Sequence, residues 1–192
     1  AERLAGGMQW AYSELFQNYA PEQVSGYLDH ALHQSADLGP LLHYSETHDN
    51  PRLAGRSAAW SLMRNRLCAL ASPSGAWGFT MGVEWLATDK VDVHETSDLR
   101  WGRSPNLVRE LGALNTLVSN HPCFLDGAKV ERLSPPDSWV LALLRTSADG
   151  LDQGLVLVNL DPDAERTLDW KRGLGKAFSH EALGQALPEF EK

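Results

Sequence analysis

Partway along this chain the hydrophobic rhythm changes, and that change narrows the fold more than any single motif does. Up to about residue 120, short apolar runs alternate with longer segments whose apolar residues recur at helical spacing. Strands are predicted near Gln9–Glu14, Leu41–Ser45 and Trp77–Met81, and helices over Pro21–Ser35 and Leu53–Ala71. A third helix is predicted to start with Ser104 as cap and Pro105 in the first helical position, with Leu107, Leu111, Leu114 and Val118 on one apolar face. Strand–helix alternation of this kind specifies an α/β unit with parallel strands. Beyond it, Val130–Leu133, Trp139–Arg145 and Gly154–Leu160 are strand-like runs. They are separated by the turn sequences Pro135-Pro136-Asp137 and Ala148-Asp149-Gly150, so an antiparallel sheet is predicted from about Lys129. The expected division is 1–122 for the α/β part and 123–192 for the β part.

The second predicted strand does not fade into a Gly/Ser turn. It ends in Tyr44-Ser45-Glu46-Thr47-His48-Asp49-Asn50-Pro51-Arg52, which packs two carboxylates, an imidazole, an amide and a guanidinium into nine residues. Polar side chains crowded at the C-terminal end of a strand are where α/β barrels keep their chemistry. The same residues also fit a plain helix start, with Asp49 or Asn50 as cap and Pro51 in the first helical position.

The stretch resembles the fourth signature region of the α-amylase superfamily (glycoside hydrolase family 13). Tyr44, Glu46, His48, Asp49, Pro51 and Arg52 match that pattern, and Thr47 stands where Asn is usual. The segment Ser72–Trp85 is similar to the family's last barrel strand and its loop: Gly75, Gly82 and Glu84 match, while Trp77 and Thr80 replace the usual Pro and Tyr. The resemblance runs from about Gly7 to about Trp170. It implies the C-terminal portion of a (β/α)8 TIM barrel followed by a small antiparallel β-sandwich domain. It also implies an α-glucan-active glycosidase or transglycosidase of the retaining type. Asp49 would be the transition-state-stabilising carboxylate of the −1 subsite and His48 its sugar-binding neighbour. Asn50, Arg52, Glu84 and Trp85 would be substrate-binding, Trp85 as a platform for a sugar ring.

Retaining cleavage needs a nucleophile and an acid/base carboxylate about 5–5.5 Å apart. In the family both lie on strands several dozen residues before the signature matched here. No Arg-x-Asp motif occurs in this chain, and Glu14 has no flanking sequence that marks it as the acid. A complete barrel takes roughly 250 residues, against 192 here. The remainder of the barrel is therefore expected in a longer parent chain, a reading that the start at Ala1-Glu2-Arg3 without an initiator Met also suits. The polypeptide alone is expected to be inactive. The departures at Thr47, Trp77 and Thr80 keep an alternative open, a non-catalytic amylase-like carbohydrate-binding or interaction module.

Other features mostly exclude. A net charge of −8 argues against nucleic acid, whose phosphates need clustered Lys and Arg. No run approaches the ~20 apolar residues of a membrane span, and the cytoplasm is the default location. Cys68 and Cys123 read as free thiols. His30 and His33 have a spacing that zinc can use, but no His-Glu-x-x-His accompanies them. No metal and no cofactor are expected. Gly-x-Ser-x-Gly is also missing, which leaves no basis for a serine-hydrolase reading.

Overall fold

The computed structural model describes residues 6–168 and 182–183. Among these the chain is mixed α/β, with three α-helices, a parallel sheet and an antiparallel sheet. The parallel sheet has the order β1 (Ala11–Tyr12), β2 (Leu41–Tyr44), β3 (Trp77–Gly78), with Ala11 opposite Leu41 and His43 opposite Trp77. Both outer strands are shorter than the runs Gln9–Glu14 and Trp77–Met81 that predict them. At β1 the chain leaves the sheet through a 3-10 turn at Leu15–Gln17; at β3 it enters a series of turns from Met81. No closed barrel forms among the described residues.

Helix α1 (Pro21–Asp37) begins with Pro21, whose missing N–H costs nothing there. The Gln23 side chain accepts the Ala20 N–H at 3.1 Å. Its buried face is Val24, Leu28 and Ala31, at the spacing of one helical stripe. Helix α2 (Ala58–Ala71) starts at Ser57, whose hydroxyl accepts the Trp60 N–H at 3.0 Å. The helix predicted from Leu53 is thus split: Leu53–Gly55 is a 3-10 turn, and the α-helix waits for the Ser57 cap. Helix α3 (Val108–Asn120) buries Leu111, Leu114 and Val118. It does not start at Ser104, because the Leu107 N–H is taken by the Glu84 carbonyl at 2.8 Å and the Asn106 side chain accepts the Val108 N–H at 3.2 Å.

Strands β4 (Lys129–Arg132), β5 (Val140–Thr146) and β6 (Gln153–Asn159) make one antiparallel sheet in chain order. Its start at Lys129 is the predicted one. A second layer, which a sandwich requires, is not found among the described residues; the rest of the expected β domain, with Trp170, lies outside them. Leu141, Leu143, Val156 and Val158 of this sheet join Leu67, Leu70, Leu111 and Leu114 in one continuous core. Arg145 threads through it. Its Nε donates to the Cys123 carbonyl at 2.8 Å and its Nη1 to the Leu70 carbonyl at 2.9 Å, while the guanidinium sits 4.2 Å from the centre of the Phe124 ring. Cys68 and Cys123 are free and buried. Among the described residues no helix is long and apolar enough to cross a membrane.

Candidate active site

Parallel strands aim their C-terminal ends the same way, so the connections after β1, β2 and β3 meet on one side of the sheet. These connections are residues 13–20, 45–57 and 79–107. The middle one leaves β2 with the Ser45 N–H still bonded to the Gly78 carbonyl at 3.1 Å. At its base the side chains of Glu46 and Arg52 turn inward and are almost fully buried. The Arg52 Nε lies 2.7 Å from Glu46 Oε1, an ion-pair approach in which the N–H is not aligned on the oxygen. Glu46 Oε2 accepts the Leu53 N–H at 2.8 Å, Arg52 Nη2 donates to the Met81 carbonyl at 2.9 Å, and the Thr80 hydroxyl donates to the Glu46 carbonyl at 3.1 Å. These bonds clamp both ends of residues 47–51 and tie them to the β3 connection. The clamp is close-packed: a Cβ on Gly82 would meet Arg52 Nη2 at 3.0 Å, and Gly82 has a φ of 93° that also favours glycine.

Above the clamp the tip is ordered by its own side chains. The Thr47 hydroxyl donates to Asn50 Oδ1 at 2.6 Å and faces the Asp49 N–H at 3.3 Å. His48 and Asp49 are thereby left projecting outward, with Nε2 and Oδ1 3.5 Å apart and side chains 56% and 81% exposed. Neither Asp49 nor Asn50 caps a helix, since the following α-helix takes Ser57. His48 and Asp49 line a hollow of about 260 Å³ whose far wall is Lys90, Val91, Asp92 and Val93 from the β3 connection. That wall is closed on itself: the Asp92 N–H donates to Ser97 Oγ at 2.9 Å, and the Ser97 hydroxyl donates to the Lys90 carbonyl at 3.2 Å. A larger cleft, about 640 Å³, lies next to it and shares Lys90 as a wall. Tyr19 from the first connection, Arg52 and Arg56 from the second and Thr88 from the third line this cleft, with Trp60 of α2.

Of the residues singled out from the sequence, His48 and Asp49 come together at the hollow. Asn50 serves the tip through Thr47, and Arg52 serves it from beneath while lining the larger cleft. Glu84 and Trp85 are not among the walls of either depression. The Glu84 carboxylate accepts the Gly82 N–H at 2.9 Å, within its own turn, and Trp85 packs 5.7 Å from Trp101. Lys90, Asp92, Arg56 and Tyr19 escape a reading of sequence pattern because they occur in irregular connections with no period. The signal that points to them is the length of the polar stretch after β3. Among the described residues no group of His, Cys, Asp and Glu has the grouping that would hold a metal ion. A scan against protein-family models and a search of curated proteins each return no match.

Proposed function

We propose that this chain is the C-terminal portion of an amylase-type (β/α)8 barrel, and that its parent is a cytoplasmic retaining glycosidase or transglycosidase acting on α-linked glucans. The observation that carries this reading is the exposed His48–Asp49 tip at the C-terminal end of the central strand of a parallel sheet, clamped by the buried Glu46–Arg52 pair and facing an open hollow. A carboxylate held in this way can accept hydrogen bonds from two adjacent sugar hydroxyls. Those bonds strengthen as the ring flattens toward an oxocarbenium ion, so they favour the transition state over the ground state. His48 binds the same sugar. Asn50 and Arg52 act on the substrate through the bonds that hold the tip, while Glu84 and Trp85 stand back from the −1 position.

A second observation supports the larger barrel. Leu41 and His43 are buried on the helix-covered face of the sheet, whereas Trp10, Tyr12 and Tyr44 stack edge to face on the other, with Tyr12 59% exposed. Parallel sheets are otherwise covered on both faces. The remaining strands, with the nucleophile and the acid/base, are the fitting cover, and without them the chain has no means of cleaving a glycoside.

Kinetics of the parent enzyme test the reading. Asp49→Asn keeps the shape and removes the charge, so kcat is expected to fall on the order of 10²–10³ with KM little changed. His48→Ala is expected to be milder and to raise KM as well. Effects of both within about threefold of the parent would refute the reading. So would an upstream coding sequence without one strand ending in an Asp nucleophile and another ending in Glu.

A further inference from the structure

The larger cleft is unusual for so acidic a chain. With a net charge of −8, carboxylates outnumber cations, yet the charged walls of this cleft are Arg52, Arg56 and Lys90, with no carboxylate among its described lining residues. Their charges are not equally engaged. Arg52 is met by Glu46 beneath it, although its Nη1 is buried without a hydrogen-bond acceptor. Arg56 shares its charge with Asp163 across an exposed pair at 3.4 Å, a contact of little strength, and its guanidinium carbon lies 3.7 Å from the centre of the Trp60 ring. The Lys90 ammonium has no carboxylate within ion-pair distance among the described residues. Two cations, one planar and one a point charge, therefore remain to face the opening of the cleft.

The walls also include an accessible ring. Tyr19 is 47% exposed and stands 5.8 Å from Trp60 at the edge of the cleft. An aromatic face beside cations suits a ligand that has both a ring and an anion. The volume, about 640 Å³, is that of a small-molecule site rather than of a bare ion. A phosphate monoester carries about −1.5 to −2 charges near neutral pH, which matches the two cations better than a single carboxylate does. Lys90 walls both depressions, so one ligand can extend from the His48–Asp49 hollow into the cleft.

We propose that this cleft binds the phosphate monoester of a phosphorylated α-glucoside, with Arg56 and Lys90 as the phosphate's cations and Tyr19 as a platform for the sugar to which it is joined. The assignment rests on the reading of Asp49 as the carboxylate that grips the neighbouring sugar. It gives that reading a substrate class, a glycoside bearing phosphate.

Calorimetric titration of the 192-residue chain with three probes tests it: α-glucose 1-phosphate, inorganic phosphate and methyl α-glucoside. α-Glucose 1-phosphate is expected to bind at least about tenfold more tightly than either other probe. Arg56→Gln and Lys90→Gln are each expected to weaken it by about tenfold, the loss of one charge-assisted contact. Both residues are on the surface of the cleft, so the fold is retained and far-ultraviolet circular dichroism checks this. Absence of binding, equal affinity for α-glucose 1-phosphate and methyl α-glucoside, or indifference to both substitutions overturns the proposal. Inorganic phosphate binding as tightly as the ester also overturns it, by making the cleft a site for the free ion. Asp49→Asn separates the two readings. If in the parent enzyme it leaves kcat within about threefold while binding of the ester still depends on Arg56 and Lys90, the subsite assignment of Asp49 fails and the phosphate site stands.

Discussion

At Glu46 a carboxylate is taken almost wholly out of water. Burial pushes its pKa up, and the Leu53 N–H and the Arg52 guanidinium pull it back. Desolvation and pairing nearly cancel in such arrangements, so the pair adds little net stability while breaking it is expensive. Glu46→Gln leaves the Arg52 guanidinium buried without a counter-charge and is expected to cost about 3 kcal/mol, read as a lowered urea midpoint. The double change Glu46→Leu with Arg52→Met is expected to recover most of that loss, because neither charge is then left alone. A single variant as stable as the parent would show that water reaches the pair. Both residues stand out in the sequence as part of a matched pattern, but their bond to each other does not. They are six residues apart on an irregular loop, and no period predicts which side chains turn inward there. Thr47 is the converse case. It departs from the family pattern, yet its hydroxyl orders the tip by bonding Asn50.

Elements with one strongly patterned face are legible in the sequence. The stripe of α1, the central strand β2 and the β5–β6 hairpin lie within a few residues of their predicted positions because burial alone specifies them. Boundaries set by tertiary hydrogen bonds are not legible, as the late start of α3 at Val108 shows. The contact of β2 with the end of α2 carries a titration. His43 on β2 is fully buried, with its Nδ1 2.6 Å from the Ser13 hydroxyl. Burial above all pushes its pKa from 6.5 down to about 4; the nearby Ala71 backbone opposes this without an aligned hydrogen bond, and Arg145 reinforces it. Between those values the unfolded chain binds more protons than the folded one. Stability therefore rises with pH through that window and is lost as pH falls through it, by about 3 kcal/mol if His43 acts alone. Denaturation at several pH values checks this: His43→Gln is expected to flatten the dependence between pH 4 and 6.5 relative to the parent. An unchanged slope would mean that other groups account for the acid sensitivity.

Over the whole molecule, the core runs without a break from α1 and α2 through α3 to the antiparallel sheet, and Arg145 bonds the end of α2 to β5 from inside it. Strands and helices that share one core lose it together. Urea unfolding followed by tryptophan fluorescence and by far-ultraviolet circular dichroism is expected to give coincident curves, although the sequence changes character near residue 122. Two separated transitions would show that the α/β and β parts unfold independently. The connection after β3 has the opposite character. It is anchored by Leu107 N–H to the Glu84 carbonyl and by Arg100 Nη1 to the Leu86 carbonyl at 3.2 Å, while Lys90 to Val93 stand in the span between. None of those four residues belongs to the core. Descendants of this sequence can therefore rewrite the wall that faces Asp49, residue by residue, while the carboxylate and the clamp beneath it stay as they are. Under the proposed function, selectivity becomes the part of the protein that is free to drift, and the hold on Asp49 the part that is inherited.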